Sequence, residues 1–180
     1  MTKILIDSTA LSKRVNQLAA EIVKDHPNGP PIFVGVLNGA VEFMMRLLGE
    51  FPAEFAASIQ YDFVNASSYD RNNSRREVEI GPQGSIEIKG CEVVVVDGIV
   101  DTGLTLNRLL TVLKEKEPRS LAVCALLDKE SRRVHQVEMR YVGFKIADHF
   151  VVGFGMDYNQ QFRCLPHVAT LDPTLKGIDK

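Results

Sequence analysis

Short apolar runs alternate with stretches of helical periodicity along most of the chain. The first helical stretch has its apolar residues Leu11, Val15, Leu18, Ile22 and Val23 on one face. Ser8 or Thr9 can cap this helix, since a hydroxyl accepts a hydrogen bond from a free backbone N–H. Leucine, valine and methionine recur at helical spacing over 41–48 and 106–113, which predicts two more helices.

Apolar runs typical of strands stand between these helices. They occupy 32–37, 55–63, 93–96, 121–127, 141–144, 150–153 and 168–171. Residues 77–89 are predicted to form two further strands about the turn Gly81-Pro82-Gln83-Gly84. The alternation predicts an α/β fold with a mostly parallel, twisted sheet and helices on both faces.

Length, net charge and cysteine count limit the classes of function that the chain could have. The chain has 180 residues, enough for a single domain over 1–180, and a net charge of −2 gives no support for a nucleic-acid or membrane partner. The three cysteines, Cys91, Cys124 and Cys164, have neither metal-ligand spacing nor an even count for disulfides. No signal peptide or apolar run long enough to span a bilayer is evident, so we expect a cytoplasmic protein.

The most informative segment is VVVVDGIVDTGLT, over 93–105. Four successive valines cannot alternate apolar and polar faces, which indicates a strand buried on both sides. Asp97 and Asp101 follow, and Thr102 to Thr105 then open a helix whose N–H groups and hydroxyls can bind phosphate. The acids could hold ribose hydroxyls or a metal ion, and one could move a proton. The alternative is a buried strand followed by an Asp-rich turn that only caps a helix.

This segment resembles the phosphoribosyl-pyrophosphate signature of type I phosphoribosyltransferases. The resemblance implies that Asp101 is the general base, that Asp97 serves the ribose hydroxyls or Mg²⁺, and that Thr102, Gly103, Leu104 and Thr105 bind the 5-phosphate. Gly98 stands where the family usually has a second acid. We expect this loss to weaken ribose recognition, and Gly98→Asp to restore it, unless glycine is needed there for a positive φ.

Two strand ends narrow the resemblance to the hypoxanthine-guanine branch. Leu37-Asn38-Gly39 resembles that branch's pyrophosphate loop, in which the first peptide bond is often cis, although a plain strand-to-helix turn needs glycine equally. Lys129 matches the lysine that donates to the purine oxygen at position 6. Because an ammonium only donates, this match implies an oxo purine rather than adenine.

The run from Asp148 to Arg163 resembles the branch's base-binding and metal-binding segment. By this resemblance Phe150 stacks on the purine and the backbone of Val151 meets its position-2 edge. Asp157 would hold Mg²⁺, and Arg163 would contact pyrophosphate. The alternative makes Phe150 a core residue and Asp157-Tyr158-Asn159 a polar turn.

A mobile lid is expected over about 65–84, because its first part, 65–76, is long, polar and without apolar periodicity. Ser68 and Tyr69 resemble the family's lid pair. The three arginines Arg71, Arg75 and Arg76 could approach pyrophosphate, but a solvated hairpin tip is the plainer reading. The resemblance also implies a small base-binding hood built from the termini.

The resemblance as a whole implies transfer of 5-phosphoribosyl from phosphoribosyl pyrophosphate to N9 of hypoxanthine or guanine. The products would be IMP or GMP and pyrophosphate, with Mg²⁺ as cofactor, in a homodimer or homotetramer. The alternative is a regulator or nucleotide-binding protein of the same fold that does not turn over substrate.

Overall fold

The computed structural model describes residues 3–69, 77–80 and 86–171, with only the backbone described at 67–69 and 77–80. Its main sheet has six strands in the order β4-β3-β2-β5-β6-β7. Numbered in chain order, they are β2 (Ile32–Leu37), β3 (Tyr61–Tyr69), β4 (Glu77–Ile80), β5 (Glu92–Val100), β6 (Ser120–Asp128) and β7 (Tyr141–Lys145). Neighbouring strands pair in parallel, except that the edge strand β4 pairs antiparallel with β3.

A second, smaller sheet joins segments from near the two ends of the described chain. Its antiparallel strands are β1 (Lys3–Ile6), β8 (Val151–Val152) and β9 (Val168–Thr170), in the order β1-β9-β8. The sequence pattern did not predict β1, because four residues with a single buried side chain carry little periodicity.

Helices cover both faces of the main sheet, as predicted. They are α1 (Ser8–Asp25), α2 (Val41–Gly49), α3 (Ala53–Ala56) and α4 (Leu104–Lys114), with a 3₁₀ turn at Glu130–Arg132. Val94 and Val96 of β5 pack into the apolar cluster that contains α1 and α2, whereas Val93 and Val95 pack into the cluster that contains α4. The unbroken valine run is therefore buried on both sides.

Two predicted elements differ in the structure. Residues 55–63 are not one strand, because Pro52 precedes the short helix α3 and β3 begins only at Tyr61. The apolar Phe55 packs its ring 5.0 Å from that of Phe51 rather than entering a sheet. The segment that begins at Glu77 forms one strand, β4, which pairs with β3, while residues 86–89 form a bend and turn.

The cap of α1 also differs by one residue from the prediction. Asp7 is the N-cap, and its carboxylate accepts a hydrogen bond of 2.8 Å from the backbone N–H of Ala10. Within the described part of the chain, no helix combines the length and apolarity needed to cross a membrane.

The parallel register brings the carboxyl ends of β2, β5 and β6 to one edge of the sheet. Asp97 lies within β5 opposite Ala125 of β6, and Val100 lies opposite Asp128. The strand therefore runs further than the valine pattern predicted. Because ligands of such sheets bind beyond the carboxyl ends of the strands, this edge is where a site is expected.

Candidate active site

A cavity of about 400 Å³ lies at this carboxyl edge, between β2, β5 and the start of α4. Its lining includes nine of the candidate site residues that the sequence singled out. They are Leu37, Gly39, Asp97, Asp101, Thr102, Gly103, Leu104, Thr105 and Asp157. The fold thus gathers the predicted phosphate loop, part of the predicted pyrophosphate loop and both predicted metal-binding acids around one space.

The predicted phosphate loop, Thr102 to Thr105, owes its shape to Gly103. This residue has φ of 82° and serves as the N-cap of α4. A Cβ at this position would collide with the carbonyl oxygen of His135, so both conformation and space require glycine. The first turn of α4 contains no acidic residue, and its leading N–H groups have no partner within the helix. A helix terminus of this kind attracts an anion.

Backbone hydrogen bonds from the chain after Lys129 hold this loop in place. The backbone N–H groups of Val134 and His135 donate to the carbonyl oxygen of Thr102 at 3.0 Å and 2.9 Å. The side chain of Arg133 is only 8% exposed and forms an ion pair with buried Asp128. Sequence reasoning missed this support, and two adjacent arginines after a strand end were its only signal.

Gly98 makes room for Leu37-Asn38-Gly39, the predicted pyrophosphate loop. A Cβ on Gly98 would lie 2.6 Å from the carbonyl oxygen of Gly39, and a Cβ on Gly155 would collide with the same oxygen. The Leu37–Asn38 peptide bond at the start of this loop is cis. Gly98 is not among the residues with positive φ. Glycine stands at position 98 because the two backbones approach each other closely there. Neither a positive φ nor the loss of a carboxylate accounts for it by itself.

Asp97 is the acid whose ionisation the site alters most. Burial raises the pKa of Asp97 to about 7, although the backbone N–H groups of Ile99 and Gly98 donate to it and act in the opposite direction. A cation that binds beside this carboxyl would favour its ionised form and lower its pKa.

Asp157 and Arg163 form an ion pair at 2.8 Å on the other side of the cavity. Arg163 also donates to the carbonyl oxygen of Gly155 at 2.8 Å, and Asp157 accepts from the backbone N–H of Gln160 at 2.9 Å. The predicted metal ligand and the predicted pyrophosphate arginine are thus next to each other. Arg163 already binds Asp157 and the carbonyl oxygen of Gly155, so contact with pyrophosphate would require these interactions to break.

The loop that carries this pair contains an unusual backbone. Four residues that are not glycine have positive φ, namely Phe154, Asn159, Gln160 and Phe162. Such conformations cost free energy and are concentrated at functional sites, where the surrounding structure maintains them. Residue types alone do not reveal this backbone, since only Asn159 is of a type that favours the left-handed region.

Lys129 and Asp101 meet at the rim of the cavity. Lys129 is only 6% exposed, and its Nζ lies 3.9 Å from one oxygen of Asp101 and 3.9 Å from one oxygen of Asp148. Arg132 donates to the other oxygen of each acid, at 3.1 Å to Asp101 and 3.4 Å to Asp148. The sequence predicted Lys129 and Asp101 as site residues but did not predict Arg132 or Asp148.

Phe150 and Val151 lie on the segment that leads into the smaller sheet. Phe150 is 54% exposed, with its ring edge-on to that of Tyr158 at 5.7 Å between centroids. An exposed aromatic face is a suitable surface for a planar ligand, and the alternative of a core residue is excluded. Val151 is buried and pairs with Thr170 in β8 and β9.

Some predicted site residues cannot be placed fully. Ser68 and Tyr69 belong to the backbone of β3, opposite Val78 and Glu77, so the predicted lid begins as an antiparallel pair of strands. Arg71, Arg75, Arg76 and the turn 81–84 lie outside the described residues.

The acids present suit a cation that arrives with its substrate. No group of three or more His, Cys, Asp or Glu side chains with metal-binding geometry occurs among the residues at 3–69, 77–80 and 86–171 whose placement is described. Magnesium commonly needs only one or two protein carboxylates when substrate phosphates and water complete its coordination. Asp97 and Asp157, which both line the cavity, meet that requirement.

Comparison with known protein families gives a match over most of the chain. Residues 1–159 match the model of the phosphoribosyl transferase domain. The hypoxanthine-guanine phosphoribosyltransferase of Bacillus subtilis is 33% identical over 174 residues, which is 96% of this chain and 94% of that protein. The hypoxanthine phosphoribosyltransferase of Escherichia coli K12 is 37% identical over 170 residues, or 93% of each chain.

Solved structures agree with this match. A hypoxanthine-guanine phosphoribosyltransferase from Bacillus anthracis superimposes with a TM-score of 0.86 at 33% identity, covering 96% of this chain and 99% of that one. A hypoxanthine phosphoribosyltransferase from Staphylococcus aureus gives a TM-score of 0.89 at 32% identity, covering 97% and 93%. The site described above is thus set in the fold of these enzymes, and the chain belongs to the hypoxanthine-guanine branch of the phosphoribosyltransferase family.

Proposed function

We propose that this protein transfers 5-phosphoribosyl from phosphoribosyl pyrophosphate to N9 of hypoxanthine or guanine. The bond from ribose C1 to pyrophosphate breaks as the bond from C1 to N9 forms, giving IMP or GMP and pyrophosphate. The activity is that of a purine salvage enzyme, as the names of its relatives indicate.

The sugar phosphate is held at the start of α4. The hydroxyls of Thr102 and Thr105 and the N–H groups of Gly103 and Leu104 surround the 5-phosphate, which the helix terminus also attracts. Asp97 faces the ribose hydroxyls from β5. Anchoring at both ends of the ribose fixes C1 beneath the base and removes much of the entropic barrier to reaction.

Asp101 is the proposed general base. It lies at the end of the phosphate loop, on the side nearest Lys129. As N9 attacks C1, the purine becomes more acidic, and Asp101 accepts the proton from N7. In the reverse direction the same carboxyl returns the proton to the leaving base.

Lys129, Phe150 and Val151 select the base. The ammonium of Lys129 donates to the oxygen at position 6, the exposed face of Phe150 stacks on the ring, and the backbone of Val151 meets the position-2 edge. We assign the small sheet of β1, β8 and β9 as the hood that carries this surface.

Asp97 and Asp157 would hold Mg²⁺ together with the substrate. When bound, the ion neutralises charge that develops on the leaving pyrophosphate. Arg163 and the Leu37-Asn38-Gly39 loop contact the same group, and the lid that carries Ser68 and Tyr69 closes to keep water from the activated sugar.

The single observation that supports this proposal most is the 3.9 Å separation of Lys129 and Asp101 beside the phosphate loop. A reader of the purine oxygen and a proton acceptor are both useful to a transferase, whereas a regulator that only binds nucleotide needs no proton acceptor. Relatives named as transferases over nearly the whole chain speak against the regulator as well.

Turnover assays test the proposal directly. Purified protein is incubated with Mg²⁺, phosphoribosyl pyrophosphate and each of hypoxanthine, guanine, xanthine and adenine, and nucleotide and pyrophosphate are both measured. Stoichiometric IMP or GMP and pyrophosphate are expected, with none after chelation of Mg²⁺. Tight binding of nucleotide without any product would instead favour the regulator.

We also propose that the protein works in the cytoplasm as a homodimer or homotetramer. The absence of paired cysteines suits a reducing compartment, since Cys91, Cys124 and Cys164 are all free thiols.

A further inference from the structure

Arg132 and Lys129 share the same two acids in a regular pattern. Arg132 Nε donates to Oδ1 of Asp101 at 3.1 Å, and its Nη1 donates to Oδ2 of Asp148 at 3.4 Å. Lys129 Nζ faces the opposite oxygens, Oδ2 of Asp101 and Oδ1 of Asp148, at 3.9 Å each. Two acids and two cations thus form a closed group with no net charge.

Arg132 and Lys129 make different types of contact with the two acids. The contacts of Arg132 lie within hydrogen-bond range, although the longer is at its limit, whereas 3.9 Å is too long for a hydrogen bond. Lys129 therefore keeps its N–H donors free of both carboxylates. Its side chain is almost fully buried, whereas Asp101 and Asp148 are 41% and 52% exposed, so the attraction of the ammonium to either acid is only partly screened by water.

Another group must keep Lys129 from forming a direct salt bridge with Asp101. The guanidinium of Arg132 is a planar fork, which can hold two carboxylates at a set separation as a single ammonium cannot. It takes one oxygen of each acid and balances their charge. Without it, one lysine would stand between two carboxylates, and a direct salt bridge would form with one of them.

We propose that Arg132 is a positioning residue for the transferase reaction, which keeps Lys129 and Asp101 apart and leaves both free to meet the purine. The inference rests on the proposed function, in which Lys129 reads the position-6 oxygen and Asp101 accepts the N7 proton. A salt bridge between the two would occupy the donor and the acceptor at once. Arg132 itself touches neither base nor sugar in this scheme.

The consequence is confined to the base half of the reaction. Arg132→Ala should lower kcat/KM for hypoxanthine by about tenfold or more, since small displacements of catalytic groups have large effects. The KM for phosphoribosyl pyrophosphate should change less than about twofold, because the phosphate loop is braced by the separate contacts of Val134 and His135 to Thr102. Arg132→Lys should recover only part of the loss.

Lys145→Ala is the matched control. Lys145 forms an ion pair of 2.8 Å with Glu130, in the same 3₁₀ turn as Arg132, but has no contact with Asp101 or Asp148 among the described residues. If this turn needed only its ion pairs to stay folded, both variants would lose activity alike. We expect Lys145→Ala to keep the kinetic constants of the unmodified protein, and equal losses in the two variants would overturn the inference.

A crystal structure of Arg132→Ala supplies a readout that does not depend on turnover. Lys129 Nζ and an oxygen of Asp101 or Asp148 should approach to about 2.8 Å, the usual length of a charged hydrogen bond. An unchanged separation, or unchanged base kinetics in an active enzyme, would show that Arg132 is only a surface partner. Absence of turnover by the unmodified protein with every oxo purine would instead refute the proposed function.

Discussion

Gly98 lies against the backbone of Gly39, so that a Cβ on Gly98 would stand 2.6 Å from the Gly39 carbonyl oxygen. Gly98→Asp should therefore weaken binding of phosphoribosyl pyrophosphate rather than restore a lost carboxylate. Forcing the loop outward should also cost about 1–3 kcal/mol of unfolding free energy, as overpacking usually does. The KM for phosphoribosyl pyrophosphate and the thermal midpoint of the same variant measure the two effects.

Gly49→Ala is the control for this prediction, because a Cβ there would meet nothing within 4 Å. It should leave both quantities nearly unchanged. Tighter sugar-phosphate binding by Gly98→Asp at an undiminished thermal midpoint would show that the loop yields easily and that the carboxylate was the missing element.

Asp101→Asn should retain the sugar phosphate and lose most turnover, because an amide cannot accept the purine proton. Loss of a general base typically costs about 10²–10⁴ in rate. Steady-state kinetics, with a direct measurement of phosphoribosyl pyrophosphate affinity, separate the two effects. Near-normal kcat in a folded variant would remove Asp101 from this role.

Adenine should be a very poor substrate of the unmodified protein. Lys129 is buried and can only donate, so an amino group at position 6 would leave its donors without an acceptor. Sites built around one hydrogen-bonding pattern reject the wrong pattern by about 10⁴–10⁵ in kcat/KM, although partial solvation at this rim reduces that figure. Comparable kcat/KM for adenine and hypoxanthine would contradict the assignment of Lys129.

The contribution of Asp97 to the stability of the ligand-free protein should fall as the pH rises from about 4 to about 7. The pKa of Asp97 is about 7 in the folded state against a reference value of 3.8, so over this interval the folded chain binds a proton at this carboxyl that the unfolded chain has released. The contribution of this one group therefore decreases with pH and levels off above the folded pKa.

Asp97→Asn removes this titration, so the unfolding free energy of the variant should exceed that of the unmodified protein near neutrality, by a margin that shrinks as the pH falls to about 4. Denaturant unfolding of both proteins, without Mg²⁺ or substrate, gives the two curves. Parallel curves would show that Asp97 does not titrate in this range.

The local pattern was enough to predict the centre of the fold. Val93 to Val96 cannot form a half-exposed strand, and the structure distributes them between apolar clusters on the two faces of the sheet. Asp97, Asp101 and the turn that begins α4 follow within a few residues. Their proximity is therefore a matter of chain connectivity, which sequence alone can supply.

Prediction from the sequence failed where the weak strand preference of a segment was overridden by its packing in the tertiary structure. The apolar run at 55–63 has strand-like composition, but Phe55 packs on Phe51 and only the part from Tyr61 enters the sheet. Likewise the strand at Glu77 pairs with β3, while the described residues 86–89 form a bend and turn. The composition of these segments does not indicate which of them pair.

The sequence by itself determined the α/β alternation and the order of strand, acids, turn and helix over 93–105, from which the phosphate loop and the purine-binding residues are proposed. Only the tertiary structure decided how these groups stand towards one another. Gly98 needs its lack of a side chain because β2 brings Gly39 against it, and Arg132 reaches Asp101 from 31 positions away. Such contacts depend on how strands and loops pack in three dimensions, and periodicity, which reports only on each element's own faces, carries no information about them.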